Sequence, residues 1–225
     1  MPVRAQRHKL TTRVWHWLNL VAVVILFMSG LNISNAHPRL YWGADGFLPQ
    51  DAWLEVMRFP GWATIPNYYS LAAARDWHNL FAWVLAVSLL VMWLMTLVNG
   101  HIRDLVTRRW EWRPREILAD IKSHLRLNFD HGAGKYNFLQ KLAYIAVLGI
   151  MLPGLIVTGM MMSPGMEPAL WPAMDLIGGR QTARSIHFIL AWALFVFLIV
   201  HVVLVILSGP IWQLRSMITG APREA

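Results

Sequence analysis

Four histidines lie within or at the edges of long apolar runs: His16, His78, His187 and His201. Ionisable side chains are rare inside membrane-crossing segments and mark functional sites there. His187 and His201 are fourteen residues apart on one run, so a helix turns about 1400° between them, about 40° short of four full turns. Both rings therefore leave the same face, roughly 21 Å apart along the axis. Successive spans run in opposite directions. His16, near the start of the first, then shares a depth with His201, near the end of the fourth. His78 and His187, near the starts of the second and fourth, share the other depth. Two facing imidazoles on different helices can ligate a haem iron from both sides, each oriented by a bond to its second nitrogen. With no coordination position left open, such a centre carries electrons rather than binding oxygen. Zinc suits the pattern less well, since two ligands per layer fall short of its usual three or four. A proton relay tolerates histidines but does not require pairs at matched depth. The other histidines, His8, His37, His101, His124 and His131, fall in tails, loops or span ends and have no ligand role in this reading.

The elements that must position these rings follow from charge. Stretches 14–38, 77–102, 142–166 and 185–214 contain no Asp, Glu, Lys or Arg, and the 225-residue chain is 56% hydrophobic and 14% charged. Each stretch holds an apolar run long enough to cross a bilayer, which takes about 20 residues. With no water to satisfy the backbone, each must be a helix. The fold class is thus an all-α membrane protein. It is a four-helix transmembrane bundle forming one domain, with spans at about 14–34, 77–99, 138–162 and 184–208. The first run exceeds the 7–15 residues typical of a signal peptide's apolar region and reads as a span.

Of the twenty Lys and Arg, fifteen precede the first span, follow the fourth or fall in 99–141, against five in the two other connections. The positive-inside rule then places both termini in the cytoplasm. It also accounts for the formal charge of +8, so no nucleic-acid partner is needed; the partner surface is lipid. Loop 35–76 is rich in aromatics, including Tyr41, Trp42, Phe47, Trp53, Phe59, Trp62, Tyr68 and Tyr69. It reads either as a headgroup belt or as a docking surface. Pro114, followed by Ile117, Leu118, Ile121 and Leu125, predicts an amphipathic helix lying along the inner leaflet. The chain has no cysteine, which removes disulfides, iron–sulfur clusters and covalent haem attachment.

Thr12-Arg13-Val14-Trp15-His16-Trp17-Leu18-Asn19 resembles the first-helix signature of the bacterial di-haem cytochrome b family. That family includes the b-type subunits of nickel–iron hydrogenase, the formate dehydrogenase gamma subunit, thiosulfate reductase b subunits and prokaryotic cytochrome b561-like proteins. The fourteen-residue histidine spacing, the segment Gly134–Lys141 and the ending Ser216–Gly220 are similar to it as well. The resemblance implies two non-covalent b haems held by His16 with His201 and His78 with His187. It implies a quinone, an exchangeable substrate, beside Asn137 and Gln140. Amides suit quinone carbonyls, although Asn137 equally suits a helix cap. Positive side chains near each face, Arg13 and Lys141 inside and Arg75, Arg180 and Arg184 outside, are candidates for the haem propionates; snorkelling is the plainer reading.

The function so implied is electron transfer in the bacterial inner membrane, between the quinone pool and a periplasmic oxidoreductase of molybdopterin type that the chain also anchors. A stand-alone b561-like quinone oxidoreductase is the alternative, and a haem-free anchor or proton-relay transporter the third reading. Any enzymatic role is confined to quinone oxidation or reduction.

Overall fold

The computed structural model describes residues 9–44, 48–126 and 136–220. Arg4, Arg7, His8, Phe47, His131, Gly134, Lys135 and Arg223 lie outside them, as do the side chains of His124 and Leu125. Four helices are long and apolar enough to cross a membrane: Leu10–Ala36, Leu71–Val98, Phe138–Met162 and Arg180–Leu207. The second starts at Leu71 rather than 77, because Leu71-Ala72-Ala73-Ala74 are strong helix formers that carry the helix beyond its apolar run. The third is π-helical over Ile145–Met151 and α-helical again from Leu152. Pro153 has no N–H to donate, and its ring crowds the carbonyl four residues back. A wider turn just ahead of it accommodates both effects.

The chain divides into two compact units, and every long helix contributes to both. The first unit comprises the chain up to Leu18, Ser88–Ile150 and Val196 onward. Here the amphipathic helix forms over Pro114–Leu125 with proline at its start. Its Leu118 and Ile121 are exposed. The Asp120 carboxylate accepts the Leu139 amide at 2.8 Å, fastening this helix to the start of the third span. A final helix, Pro210–Thr219, ends at Gly220, whose φ of +75° is the left-handed conformation that glycine adopts freely.

The second unit comprises Asn19–Val87 and Met151–Phe195. Loop 35–76 contains a short antiparallel ribbon, β1 (Arg39–Leu40) against β2 (Leu54–Glu55), which helical periodicity did not predict. The ribbon is tied to the first turns of the fourth span. Ser185 donates to the Tyr41 carbonyl at 2.6 Å and accepts from Trp53 Nε1 at 2.9 Å, while the Gly43 amide donates to Thr182 at 2.8 Å. Tyr41 is buried and Trp53 is bonded inward, so these two aromatics brace the fold; Trp62 remains almost fully exposed. Helix Glu167–Leu176, with Pro168 in its first turn and Pro172 inside it, is a further element without a counterpart among the expected ones. It packs Met174 against Met161 and Ala183, which places Met161 in packing.

Burial follows membrane rules. Among the described residues, the largest fully buried side chains are Asn32, Ser29, Ser185 and Ser216, whereas many valines, leucines and isoleucines of the spans are exposed. Lipid is as apolar as leucine, so helix contacts are made by small and polar residues that allow close approach.

Candidate functional site

Each unit holds one of the expected histidine pairs. In the first, His16 of the first span faces His201 of the fourth, with ring centroids 6.3 Å apart and ring planes at 54°. Trp17 meets the His16 ring edge-on at 5.3 Å, and Phe197 stacks on His201 at 6.0 Å. The strand of contacts continues into the C-terminal helix. Trp17 Nε1 donates to the Met217 carbonyl at 3.1 Å and Arg13 Nη1 to that of Ile218 at 2.6 Å, while Trp15 Nε1 donates to Ser88 at 3.0 Å. Trp15 and Trp17 therefore serve as braces that position His16.

In the second unit His78 faces His187 with centroids 6.1 Å apart and planes at 56°. Each ring is held by a hydroxyl on the preceding span. Ser29 Oγ lies 3.0 Å from His78 Nδ1, and Thr158 Oγ1 lies 2.9 Å from His187 Nδ1. A hydroxyl has one proton. That of Ser29 goes to the Leu26 carbonyl at 3.1 Å, and that of Thr158 to the Gly154 carbonyl at 2.6 Å. With the hydroxyl proton on the helix carbonyl, each oxygen is placed to accept from Nδ1–H, and in that tautomer the Nε2 lone pair of the imidazole is free. The residue after each hydroxyl is glycine. A Cβ on Gly159 would stand 3.4 Å from His187 Cε1, and one on Gly30 would stand 3.6 Å from His78 Cε1. Ser29-Gly30 and Thr158-Gly159 thus repeat one device on the first and third spans. Neither short polar motif is among the residues expected from the sequence; their recurrence in alternate apolar runs is the signal that could have found them.

These spacings test the fit of a bis-imidazole centre. With metal–nitrogen bonds of about 2.0 Å and ring centres about 1.1 Å behind each nitrogen, two opposed imidazoles have centroids roughly 6.2 Å apart. Both pairs match this span. Among the described residues there is no cluster of three or more His, Cys, Asp or Glu that could hold a metal ion alone, so a further ligand frame, such as a porphyrin, suits the pairs better than zinc.

The basic candidates separate. Arg13 and Arg184 each stand three residues before a histidine, and the Nε atom of each is buried with no hydrogen-bond partner among the described residues. Arg184 also donates to the Arg39 carbonyl. Arg180 is paired with Glu167. Lys141 is paired with Glu111 at 2.5 Å, both side chains less than a tenth exposed. Burial pushes the Glu111 carboxyl up, but bonds from the Arg108 amide and the Lys141 ammonium overcome this and hold it below its ordinary value. In the second unit, burial and the charges of Arg184 and Arg75 pull His37 down.

Asn137 and Gln140 form a reciprocal cap on the third span. Asn137 Oδ1 accepts the Gln140 amide at 2.9 Å, and Gln140 Oε1 accepts that of Asn137 at 3.4 Å.

A model of the prokaryotic cytochrome b561 family matches residues 7–220. A protein of Azospira oryzae, named as a putative protein-methionine-sulfoxide reductase subunit YedZ1, is 33% identical over 200 residues and 87% of each chain is covered. No solved structure matches.

Proposed function

The chain belongs to the prokaryotic cytochrome b561 family, and from that premise we propose that its two histidine pairs form a two-centre path for electrons. Membership makes it a multi-pass membrane protein that transfers electrons through haem b. In this reading His16 and His201 hold one b haem and His78 and His187 hold a second. When bound, the haems supply reversible one-electron chemistry. The observation that carries the reading is the spacing of the rings, 6.3 and 6.1 Å in the two pairs. Arg13 and Arg184 meet the haem carboxylates, since a buried guanidinium nitrogen gains most from an anionic acceptor. Lys141 and Arg180, each engaged by a carboxylate, are weaker candidates for that role.

Asn137 and Gln140 line a quinone pocket where the third span begins. Their amide chemistry, which can bond carbonyls without adding charge, supports this role alongside the cap. The distribution of Lys and Arg supports cytoplasmic termini in a bacterial inner membrane. The His16–His201 centre then lies on the cytoplasmic side, and the partner docks on the periplasmic side. The Azospira oryzae relative is named as a reductase subunit, which favours a partnered chain over a stand-alone one. A reductase consumes electrons, so that name also favours flow towards the partner. Quinol as the source, giving up two electrons and two protons, and a periplasmic partner of molybdopterin type follow from the family resemblance of the sequence.

Visible spectra of purified variants test the pairing. His16→Ala and His201→Ala are expected to remove one and the same haem, and His78→Ala and His187→Ala the other. Spectroscopic equivalence of His16→Ala and His78→Ala would overturn it.

A further inference from the structure

We propose that Ser29 and Thr158 are positioning residues that set the reduction potential of the haem between His78 and His187. The proposal rests on the ligand assignment above and deepens it. In each case three groups form a chain: the imidazole Nδ1–H, the hydroxyl oxygen, and a carbonyl one turn back on the hydroxyl's own helix. The links are 3.0 and 3.1 Å through Ser29, and 2.9 and 2.6 Å through Thr158. Thr158 also reaches the Leu155 carbonyl at 3.3 Å.

Linked hydrogen bonds polarise one another, the more so in a low-dielectric interior. Ser29 is fully buried and Thr158 nearly so, so water does not compete for either bond. Pulling on Nδ1–H makes Nε2 a stronger donor. A stronger donor favours the iron state of higher positive charge, so both hydroxyls lower the potential of this centre. They also fix each ring's rotation, because the ring is held between the hydroxyl and the adjacent glycine, Gly30 or Gly159.

The two devices sit on different helices and act on opposite ligands of one centre. Their effects are therefore read at the same haem. The pair His16 and His201 belongs to the first unit and serves as an internal reference.

The test is an equilibrium redox titration of the purified full-length protein, followed by its absorption spectrum, with haem content measured alongside. Thr158→Val keeps the shape and removes the hydroxyl; Thr158→Ser keeps the hydroxyl. Ser29→Ala and Ser29→Thr form the matching set. Thr158→Val and Ser29→Ala are each expected to raise the midpoint of one haem. The reduction equilibrium should shift by up to about tenfold, equal to about 59 mV for a one-electron couple. Thr158→Ser and Ser29→Thr should restore the wild-type value, and the other haem should not move.

If Thr158→Val loses the haem while Thr158→Ser keeps it at its normal potential, the hydroxyl is still shown to be what holds the ligand. Unchanged midpoints in both hydroxyl-free variants overturn the proposal, as does a shift confined to the other haem, or loss of haem in the conservative variants too. His78→Ala, run in parallel, separates the two levels. If it retains both haems, the ligand assignment itself has failed. If it removes one haem while the hydroxyl variants change nothing, only the present proposal has failed.

Discussion

Replacing Gly159 with valine probes the site through packing alone. A Cβ at this position already meets His187 Cε1 at 3.4 Å and Nδ1 at 3.8 Å. Alanine therefore requires the ring to give by a few tenths of an ångström, at a cost of about 0.5–1.5 kcal/mol in side-chain strain. Valine adds two methyl groups about 1.5 Å further out, and within a helix its side chain is nearly confined to one rotamer. The His187 ring must then leave its place. Overpacking of this kind costs about 1–3 kcal/mol, and loss of the 2.9 Å bond to Thr158 adds about 1 kcal/mol. Together, about 2–4 kcal/mol weakens retention of the cofactor roughly 30- to 700-fold. The assay is the haem-to-protein ratio with the reduced-minus-oxidised spectrum. Gly159→Ala should keep the wild-type ratio, while Gly159→Val should lose the haem that His187→Ala also loses and keep the other. Full haem content and unaltered spectra in Gly159→Val would refute the idea that His187 is held against this glycine as a ligand.

Two further outcomes follow from the first unit. Glu111→Gln removes the charge facing Lys141 and leaves that ammonium buried, so thermal stability in detergent should fall by about 3–5 kcal/mol. The Glu111 carboxyl is held below its ordinary value in the folded protein. Its contribution is therefore complete above the ordinary carboxylate range and is lost as pH falls through the folded value. Glu111→Gln should accordingly flatten the acid side of the stability–pH curve, and an unchanged curve would count against the ion pair. Asn137→Ser keeps a capping oxygen but removes the amide, so melting should stay within about 1 kcal/mol of wild type while quinol-driven haem reduction slows. Normal reduction kinetics would leave Asn137 with the cap alone.

The spans and the pairing of the four histidines were legible before any coordinates. Charge-free stretches of this length have to be helices in lipid, and the fourteen-residue interval between His187 and His201 puts both on one face because helical geometry leaves no other choice. Resemblance in the segment around His16 pointed to the family that the chain belongs to. What stayed hidden has one physical cause: the partners that give these residues their roles are distant in sequence. Ser29 lies 49 residues from His78, and Thr158 lies 29 from His187. Only the packing of one span on the next brings each hydroxyl to within hydrogen-bond distance of its ring. The same holds for Lys141, whose partner Glu111 is 30 residues away, and for the ribbon at β1 and β2, whose anchors are on the fourth span. Periodicity along the chain determined where the helices run and which histidines share a face. The tertiary structure decided which hydroxyl and which glycine each ring of the second unit meets, because those neighbours are brought together only by folding.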